Sequence, residues 1–446
     1  MAQAATTSTL ELFKNNYGKI VEKMLPVEMP LQKDIPFNTK QKVGANYIEA
    51  ICLTNETGWT LSSTANLFDL NPAISGVVKD ATVGAYITVL PSVLPWGIAS
   101  RTAGGTDVAF YDATKYVVKN NLRSHMSLQE TLRLYGQSVA LLGYVSYATA
   151  TYRGAAFVLG TGTLTLKDGS TLTFTNGVNT TSKAILFAPG QFASGIWVGR
   201  EGVRLNEVDS TGAITASGKL VSVNSELGYI TVDFVPVVPT ATTGAGSMRL
   251  CFQGQETAQD YPGIQNILSN TGTLFGIPTA SYSLWQGGNA NLQGTKFTLA
   301  KYNSAMADAV NHGGIQGEVT CYLNPRSFST LTSSAAGFRM LDSSYKESSF
   351  ENGFETIRFY SQNGVSTFVS HRMVKEGDAF ALYLPSWSRS GSSEVSFSVP
   401  GMSRDIIFPL ESQAGWAFRS FSDQYIFCDM PCWNIYFSNI NDESAV

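Results

Sequence analysis

The stretch TLTLKDGSTLTF, residues 163–174, alternates threonine with apolar residues on both sides of the turn dipeptide Asp168-Gly169. This alternation predicts a β-hairpin in which Leu and Phe face one side and Thr faces the other. The hairpin belongs to a segment, residues 155–250, that contains fourteen Thr and thirteen Gly but no Cys and no His. About six short strands in this segment predict a small β-barrel or sandwich.

The pattern that precedes this segment is helical. Apolar residues at spacings of three and four follow a capping-box pattern at Ser127. They predict a long helix over residues 128–153 with a stop at Gly154, although Gly136 and Gly143 weaken it. After the segment, mixed helix and strand resume. This order predicts an α+β host domain that carries an inserted all-β module.

Further elements are predicted along both parts of the host. A capping box at Ser8 opens a helical apolar stripe that reaches Met24 and stops before Pro26. Asn324-Pro325 predicts a turn. The remaining predictions after the insertion are a helix at residues 298–309 and strands at residues 319–323, 354–360, 365–369, 379–384, 394–399 and 433–437.

A long excursion near the N-terminus is predicted to leave the body of the protein. Residues 46–53 and 77–98 are extended, and the Gly-, Asn- and Ser-rich residues 54–76 join them in a polar tip. Pro91 and Pro95 restrict the second strand to a sheet edge or an irregular path. Because a two-stranded ribbon is marginal in water, we expect it to lie on another surface, such as another subunit.

Composition limits the classes of partner. Charged residues make up 14% of the 446-residue chain, apolar residues 43%, and the net charge is −4. The acidic balance argues against nucleic acid or an anionic membrane as the main partner. No run of about 20 apolar residues exists, so no membrane span is expected. The N-terminus shows no signal-peptide pattern, and five scattered Cys fit free thiols in a reducing cytoplasm.

Residues with recognisable chemistry are few. His125, His312 and His371 lie on different predicted elements, and none has a spaced metal-binding partner. Cys428 and Cys432 lack the second Cys or His pair of a zinc site. No phosphate-binding loop, dinucleotide fingerprint or nucleophile elbow is present. We therefore predict that the chain is not an enzyme, with no catalytic, cofactor-binding or metal-binding residue and no cofactor.

Several short motifs resemble a known family. GIQNIL at residues 263–268, Gly272-Thr273, FGI at residues 275–277, Tyr282 and Trp285 follow the insertion in the order seen in the major capsid proteins of tailed bacteriophages. FAPGQ at residues 187–191 and GVR at residues 202–204 are similar to the insertion module of that family. The order of elements resembles the family's Hong Kong-97-type capsid fold over essentially the whole chain.

The resemblance implies a division of the chain into five parts. These are an N-terminal arm at residues 1–45, an extended β loop at 46–98, a spine-helix region of the peripheral domain at 99–154, the inserted β-barrel or sandwich domain at 155–250, and the axial domain with the rest of the peripheral domain at 251–446. Only about 40 residues precede the extended loop, so the resemblance implies a separate scaffolding protein or none.

The function that the resemblance implies is structural. Copies would assemble into the hexamers and pentamers of an icosahedral shell around double-stranded DNA, in the host cytoplasm and then in the virion. Expected partners are other copies, a portal, and scaffolding and decoration proteins; the DNA would be contained without specific binding, and no membrane is involved.

Three alternatives stay open. One is a phage tail or surface adhesin whose β module binds carbohydrate. A second is an encapsulin-like compartment, which shares the shell fold. A third is a hydrolase that uses His371 or His312 with an unplaced partner.

Overall fold

The structure is a computed structural model that describes residues 29–38, 46–63, 67–84, 86–102, 113–137, 142–143, 150–152, 155–158, 160–209, 212–239, 248–256, 260–339, 356–362, 364–397 and 407–441. The helix predicted from Ser8 to Met24 lies outside these residues. The chain forms two compact units. Unit one comprises the described residues of Met1–Tyr47, Gly84–Arg133 and Ser388–Phe427, and unit two those of Ile48–Val83, Leu134–Trp387 and Cys428–Val446.

The described elements include seven α-helices and twenty-six strands. The helices are α1 Pro30–Asp34, α2 Trp96–Thr102, α3 Ala113–Tyr135, α4 Ser194–Trp197, α5 Ile264–Leu268, α6 Leu299–Gly313 and α7 Pro325–Arg339. The strands are β1 Phe37–Asn38, β2 Asn46–Cys52, β3 Val78–Gly84, β4 Ile87–Pro95, β5 Leu142–Gly143, β6 Ala150–Tyr152, β7 Ala155–Phe157, β8 Thr161–Thr165, β9 Thr171–Thr175, β10 Val178–Asn179, β11 Ala184–Leu186, β12 Arg204–Val208, β13 Ile214–Asn224, β14 Tyr229–Val232, β15 Arg249–Phe252, β16 Thr273–Leu274, β17 Ile277–Pro278, β18 Gly288–Thr295, β19 Val319–Leu323, β20 Thr356–Ser361, β21 Gly364–Ser370, β22 Ala379–Leu382, β23 Trp387–Ser396, β24 Ile407–Pro409, β25 Gly415–Cys428 and β26 Ile435–Ile440.

Unit one is built on a five-stranded sheet. Its strand order is β1-β23-β25-β24, and β4 pairs with the long strand β25 over nine positions. Within the described residues β4 pairs on one side alone, so Pro91 and Pro95 lie in an edge strand, as their missing N–H groups require. Leu94, Ile98, Val117 and Phe418 form the apolar cluster of this unit.

Helix α3 carries a polar stripe at every fourth residue, formed by Asn121, His125, Gln129 and Arg133, all of them buried. Asn121 Nδ2 donates to the carbonyl of Leu90 at 3.0 Å and to Ser92 Oγ at 2.6 Å. Gln129 Nε2 donates to Thr88 Oγ1 at 2.6 Å. Residues four apart lie on one face of a helix, so the stripe from Asn121 to Gln129 faces strand β4.

The arginine that ends the stripe belongs to a buried charge network. Arg133 Nη1 contacts Glu130 Oε2 at 2.9 Å, and Glu130 Oε1 accepts from the Leu31 N–H at 2.8 Å. Arg389 Nε donates to the carbonyl of Ile35 at 2.7 Å. The network therefore binds helix α1 and the segment that follows it to the core of unit one.

The long helix was predicted in the wrong place. The prediction was residues 128–153, whereas α3 ends at Tyr135 and Ser127 lies well inside it. Gly136 comes directly after the helix, and Gln137 has a left-handed φ of 54° that ends it. The helix begins fifteen residues earlier than predicted, and its buried face carries the polar residues Asn121, His125 and Gln129, which apolar periodicity does not detect.

Unit two contains a six-stranded mixed sheet of order β18-β26-β22-β19-β21-β20. Helix α6 packs its buried face, which includes Tyr302 and Met306, on this sheet. Thr298 caps α6, as expected for the helix predicted at residues 298–309. The predicted strands at residues 319–323, 365–369 and 379–384 are confirmed by β19, β21 and β22.

The other strands predicted after the insertion are displaced along the chain. The strand predicted at residues 354–360 overlaps β20, which begins at Thr356. The one predicted at 394–399 overlaps only the end of β23, since β23 already begins at Trp387. The one predicted at 433–437 overlaps β26, which begins at Ile435 because a 3₁₀ turn occupies the preceding residues.

Helix α7 is a further correction, because Asn324-Pro325 predicts only a turn. The side chain of Asn324 accepts from the Arg326 N–H at 3.0 Å, and Pro325 occupies the first helical position. Both are helix-start signals. The prediction of a turn without a helix was therefore wrong, although the signal for a helix start was present.

The Thr-rich segment forms most of a nine-stranded sheet of order β5-β15-β12-β13-β14-β11-β10-β9-β8. The predicted hairpin is confirmed, with Thr163 opposite Thr173 and Leu164 opposite Leu172. Its threonines are exposed, while Leu164 and Phe174 are buried. Strand β13 pairs with β12 in its first half and with β14 in its second half. That residues 155–250 form an inserted β domain stays a prediction.

A close seam joins this segment to residues 372–377 within unit two. The Gly377 N–H donates to the Gly190 carbonyl at 2.7 Å, and the Glu376 N–H donates to the Phe192 carbonyl at 3.0 Å. A Cβ on Gly190 would lie 2.8 Å from Gly377 Cα, so only glycine fits there. Backbone hydrogen bonds therefore hold the Thr-rich segment against residues 372–377.

Opposite charges lie buried beside this seam. Lys375 Nζ donates to Gln191 Oε1 at 3.2 Å and lies 4.4 Å from the centroid of the Tyr135 ring. Asp378 Oδ1 accepts from the Tyr436 hydroxyl at 2.8 Å. Burial lowers the pKa of Lys375, which the Asp378 charge opposes, and burial raises the pKa of Asp378, which Lys375 opposes. Each charge thus depends on the other for compensation.

Removal of one charge from this pair should destabilise the protein more than removal of both. We expect Asp378→Asn, which is isosteric, to lower the free energy of unfolding by about 3 kcal/mol because Lys375 then stays buried without a counter-charge. The double variant Lys375→Met/Asp378→Asn should recover most of the loss. Urea unfolding of the single and double variants measures the coupling, and strictly additive losses would contradict the pairing.

His125 should make unit one sensitive to acid. Its Nε2 lies 2.7 Å from Thr88 Oγ1 and its Nδ1 2.8 Å from Ser420 Oγ, and burial lowers its pKa from 6.5 to about 4. Between pH 6.5 and about 4, His125 binds a proton in the unfolded chain but not in the folded chain. The free energy of unfolding therefore falls as pH falls through that window.

The difference between the two pKa values of His125, 6.5 and about 4, corresponds to a loss of about 3 kcal/mol in the free energy of unfolding. We expect His125→Gln to be less stable at pH 7 but to lack this part of the acid dependence. Urea unfolding at several pH values between about 7 and 4 tests it. Parallel curves for the two proteins would show that His125 does not carry the effect.

Candidate functional site

The most prominent surface feature is the arm, defined here as residues 46–84, of which Ile48–Val83 belong to unit two. Strands β2 and β3 pair with each other and form a two-stranded sheet. The Leu53 N–H donates to the Val77 carbonyl at 2.8 Å, where the paired strands end. The extended pair is confirmed for β2 with β3. The single extended run predicted over residues 77–98 was wrong, because it contains two strands, β3 and β4, of which β4 pairs with β25, and because residues 96–98 lie in helix α2.

In the arm tip, residues 57–74, hydrogen bonds join the described residues of its two sides, 57–63 and 67–74. The backbones of Thr57 and Ile74 exchange two bonds of 2.9 Å. Asn71 donates its N–H to Thr60 Oγ1 and its Nδ2 to the Trp59 carbonyl, both at 2.8 Å. These bonds fix the described residues of the tip before binding, which reduces the entropy cost of binding.

The base of the arm rests on the motif that resembles capsid proteins. The Thr82 N–H donates to the Phe275 carbonyl at 2.8 Å. Lys79 Nζ lies 5.7 Å from the centroid of the Tyr282 ring. Trp285 is buried, and its Nε1 donates to the Leu274 carbonyl at 3.3 Å. These motif residues therefore anchor the arm within unit two.

Large apolar side chains on the arm tip point into solvent. Their exposed fractions are 82% for Trp59, 95% for Leu61, 105% for Leu67, 51% for Phe68, 78% for Leu70 and 60% for Ile74. Glu56 and Asp69 are the only charged residues between positions 53 and 77 of the sequence. Clustered exposed apolar groups of this kind mark interaction surfaces.

The prediction of a polar tip was therefore wrong. The abundance of Gly, Asn and Ser in residues 54–76 concealed six large apolar residues that no helix or strand period organises. The sequence did contain one sign of an interaction surface, because these apolar residues occur in a segment with almost no charged residues. Solvent exposure itself depends on tertiary structure and has no local signature.

The free energies of burial and of association limit the kind of partner that the tip can bind. Burial of one such side chain contributes about 1.5–3 kcal/mol. Association of two proteins costs about 4–15 kcal/mol in lost freedom. One side chain is therefore not enough to hold a partner, whereas several buried together are. The tip is suited to a protein surface that covers most of its apolar groups at once.

The two histidines of the hydrolase alternative have structural contacts. His371 is buried, its Nδ1 accepts from the Met373 N–H at 3.1 Å, and its ring packs edge-on against Tyr322. His312 lies at the exposed end of α6, where its Nε2 donates to the Ser283 carbonyl at 2.8 Å. Neither contact orients a nucleophile or an acid–base partner.

A cleft of about 470 Å³ lies beside His312 in unit two, with Asp308 and Cys432 in its lining. Burial raises the pKa of the Cys432 thiol to about 11. The thiol is therefore protonated at neutral pH, whereas nucleophilic catalysis requires a thiolate. The residues of this cleft do not form a nucleophile–base pair.

Metal-binding clusters and membrane-spanning helices are not found in the described part of the chain. Among these residues, no group of three or more His, Cys, Asp or Glu side chains is placed to hold a metal ion. No described helix is long and apolar enough to cross a membrane.

Comparisons with known proteins identify the fold. No protein-family model and no curated protein matches the chain. One chain of the cyanophage A-1(L) capsid asymmetric unit is similar over 97% of this chain and 98% of its own length, with a TM-score of 0.54 and 9% identity. This protein has the fold of a phage capsid protein. The α+β fold class and the resemblance to major capsid proteins are confirmed at the level of fold.

Weaker similarities extend to other shells. The capsid protein of a native GTA particle has a TM-score of 0.47 at 7% identity, with 99% of both chains covered. The encapsulin of Synechococcus elongatus has a TM-score of 0.42 at 7% identity, with 100% of this chain and 98% of that chain covered.

Polar replacement of the arm tip should remove self-association without loss of stability. We expect the triple variant Trp59→Ser/Leu61→Ser/Leu67→Ser to unfold within about 0.5 kcal/mol of the parent, because all three side chains are exposed. Sedimentation velocity should show smaller species for the variant than for the parent.

The matched control replaces three exposed apolar residues outside the arm, Ile214, Val221 and Val235, with Ser. This control should associate as the parent does. Equal association of the arm variant and the parent would exclude the tip as an interaction surface.

Proposed function

We propose that this chain is a structural capsid protein whose copies assemble into the hexamers and pentamers of a closed icosahedral shell around double-stranded DNA. The observation that carries the proposal is a preformed arm with an exposed apolar tip on a phage capsid fold. Symmetric assembly of identical copies needs contact surfaces and not a catalytic centre.

The composition supports this role. Interface cores are depleted in charged residues and enriched in aromatic ones. The chain has 14% charged residues, and Asp69 is the only charged residue in the sequence of its arm tip. A shell subunit that is covered by neighbours on several sides would have such a composition, since little of its surface would stay in water.

The relation to DNA in this proposal is containment. A net charge of −4 gives no general attraction to phosphate, and tight DNA binding requires many cationic contacts. We propose that a portal and, where present, scaffolding and decoration proteins are the other partners, that assembly takes place in the host cytoplasm and that the mature location is the virion. A shell of this kind has no need of a cofactor.

Electron microscopy tests the proposal most directly. The full chain would be expressed alone and together with its neighbouring genes, and purified particles imaged. We expect closed particles or hexameric capsomers. A persistent monomer or a small fixed oligomer under all conditions would contradict the shell role and favour the adhesin alternative.

A deletion of residues 55–72 tests the contribution of the arm. Because the base of the arm keeps its bond from Thr82 to Phe275 when these residues are removed, we expect the variant to fold but not to assemble. Circular dichroism and thermal unfolding serve as the fold control. Normal shells from the deletion variant would refute the arm's role in assembly while leaving the shell itself intact.

The contents of purified shells separate the two shell alternatives. Nuclease-resistant double-stranded DNA inside the particles supports the capsid function. Shells that hold an enzyme and no DNA would instead indicate an encapsulin-like compartment, and nucleic acid staining with mass spectrometry of the cargo distinguishes them.

A further inference from the structure

The six-stranded sheet of unit two ends in two edge strands that carry different side chains. Within the described residues, β18 at one edge pairs with β26 alone, and β20 at the other edge pairs with β21 alone. An edge strand leaves part of its backbone without a partner, so it is a natural place for contact with another chain. What each edge presents to solvent therefore bears on how two copies can meet.

The edge at β18 borders the cleft of about 470 Å³ that lies beside His312. Helix α6 forms the other side of this cleft. Five of the residues that line it have no side chain larger than a methyl group: Gly287, Gly288, Ala290, Ala305 and Ala309. Asp308, which is exposed, is the only Asp, Glu, Lys or Arg in the described lining. The cleft therefore offers room for a large side chain, together with one negative charge.

The edge at β20 carries an aromatic side chain and a positive charge. In the hairpin that β20 forms with β21, the last pair before the tip is Ser361 with Gly364, and Tyr360 precedes it. Tyr360 is 81% exposed, the highest fraction among the large apolar side chains that unit two exposes outside the arm. Arg358 is also exposed and lies two residues earlier, about 7 Å away on the same face of the strand. Phe359, between them, packs against the hydrophobic core, so both side chains face away from it.

The two edges are complementary in charge and in size. Neither Asp308 nor Arg358 forms an ion pair among the described residues. Opposite charges across an interface orient the partners and raise the rate of association. The volume of the cleft lies within the range of about 300–1,000 Å³ that is typical of binding pockets, and an aromatic side chain buries about 150–250 Å². Tyr and Arg are also among the side chains enriched at interfaces.

The arm tip matches this cleft less well. Its only charged residue is Asp69, which would bring a second negative charge to Asp308. Like charges that meet across an interface weaken association. The hairpin tip instead brings a positive charge together with its aromatic ring. Charge therefore favours Tyr360 and Arg358 over the arm tip as the occupant of the cleft.

We propose that each copy of the chain inserts Tyr360 into the cleft of a neighbouring copy and places Arg358 beside Asp308 there. Within one copy the two sites lie at opposite edges of a six-stranded sheet, about 24 Å apart at about 4.8 Å per strand, so one chain cannot make the contact with itself. A contact between two different surfaces of identical copies is head-to-tail, and it closes into a ring when the rotation between copies permits. This inference rests on the proposed assembly of copies into hexamers and pentamers.

Reversal of the two charges, one in each of two variants, tests this contact. Asp308→Arg alone and Arg358→Asp alone each place like charges at every contact, so we expect the association constant of each variant to fall by about tenfold or more. In an equimolar mixture, every contact between the two variants pairs opposite charges, and we expect association to return. Analytical ultracentrifugation of the full chain at low ionic strength, where charges are least screened, measures both effects.

Substitution of the ring tests the other half of the contact. We expect Tyr360→Ser to weaken association by about tenfold or more and Tyr360→Phe to keep most of it, because the ring fills the cleft. The matched control Arg204→Asp reverses an exposed charge on β12 and should associate as the parent does. Thermal unfolding of every variant should match the parent, since all the replaced side chains are exposed.

The outcomes separate this contact from the capsid function itself. Closed particles from the parent, together with unchanged association of Asp308→Arg and Tyr360→Ser, would overturn the contact and leave the capsid function standing. Loss of association in both charge variants without recovery in their mixture would also overturn it. Stronger association of Asp308→Arg would identify the arm tip, through Asp69, as the occupant of the cleft instead. A parent that stays monomeric under all conditions would contradict both the contact and the capsid function.

Discussion

A buried polar group needs a hydrogen-bond partner, and this requirement determines how the elements of each unit dock. In unit one the polar stripe of α3 reaches the edge strand β4 through Asn121 and Gln129, at 3.0 Å and 2.6 Å. An apolar stripe would tolerate small shifts of α3 along β4, whereas each of these hydrogen bonds fixes one residue of the helix relative to the strand. The edge strand with its two prolines is thereby held in place without full sheet pairing.

Unit two meets the same requirement by different means. A backbone bond from Gly377 to Gly190 brings the Thr-rich segment so close to residues 372–377 that neither glycine has room for a side chain. The charges of Lys375 and Asp378 are then buried beside the contact and must compensate each other.

In the arm, by contrast, the polar groups of the backbone are paired while the apolar side chains are exposed. Its backbone is satisfied by bonds between its own two sides, such as the pair between Thr57 and Ile74, while its apolar side chains remain in water. A monomer gains nothing from such an arrangement. An assembled shell does, because burial of several preformed apolar groups between copies offsets the loss of freedom on association. The capsid fold and the arm thus support one function.

Much of the local structure was determined by the sequence itself, whereas tertiary structure alone decided the features that carry function. The alternation in residues 163–174 is a property of neighbouring residues, and the structure confirms the hairpin with Leu164 and Phe174 inside. The helix after Thr298 was likewise encoded by local period and capping. By contrast, the buried face of helix α3 carries a polar stripe that contacts distant strands, so apolar period misplaced the helix. The exposure of the arm tip and the buried charge pair both depend on spatial neighbours, and a sequence pattern reports only neighbours along the chain.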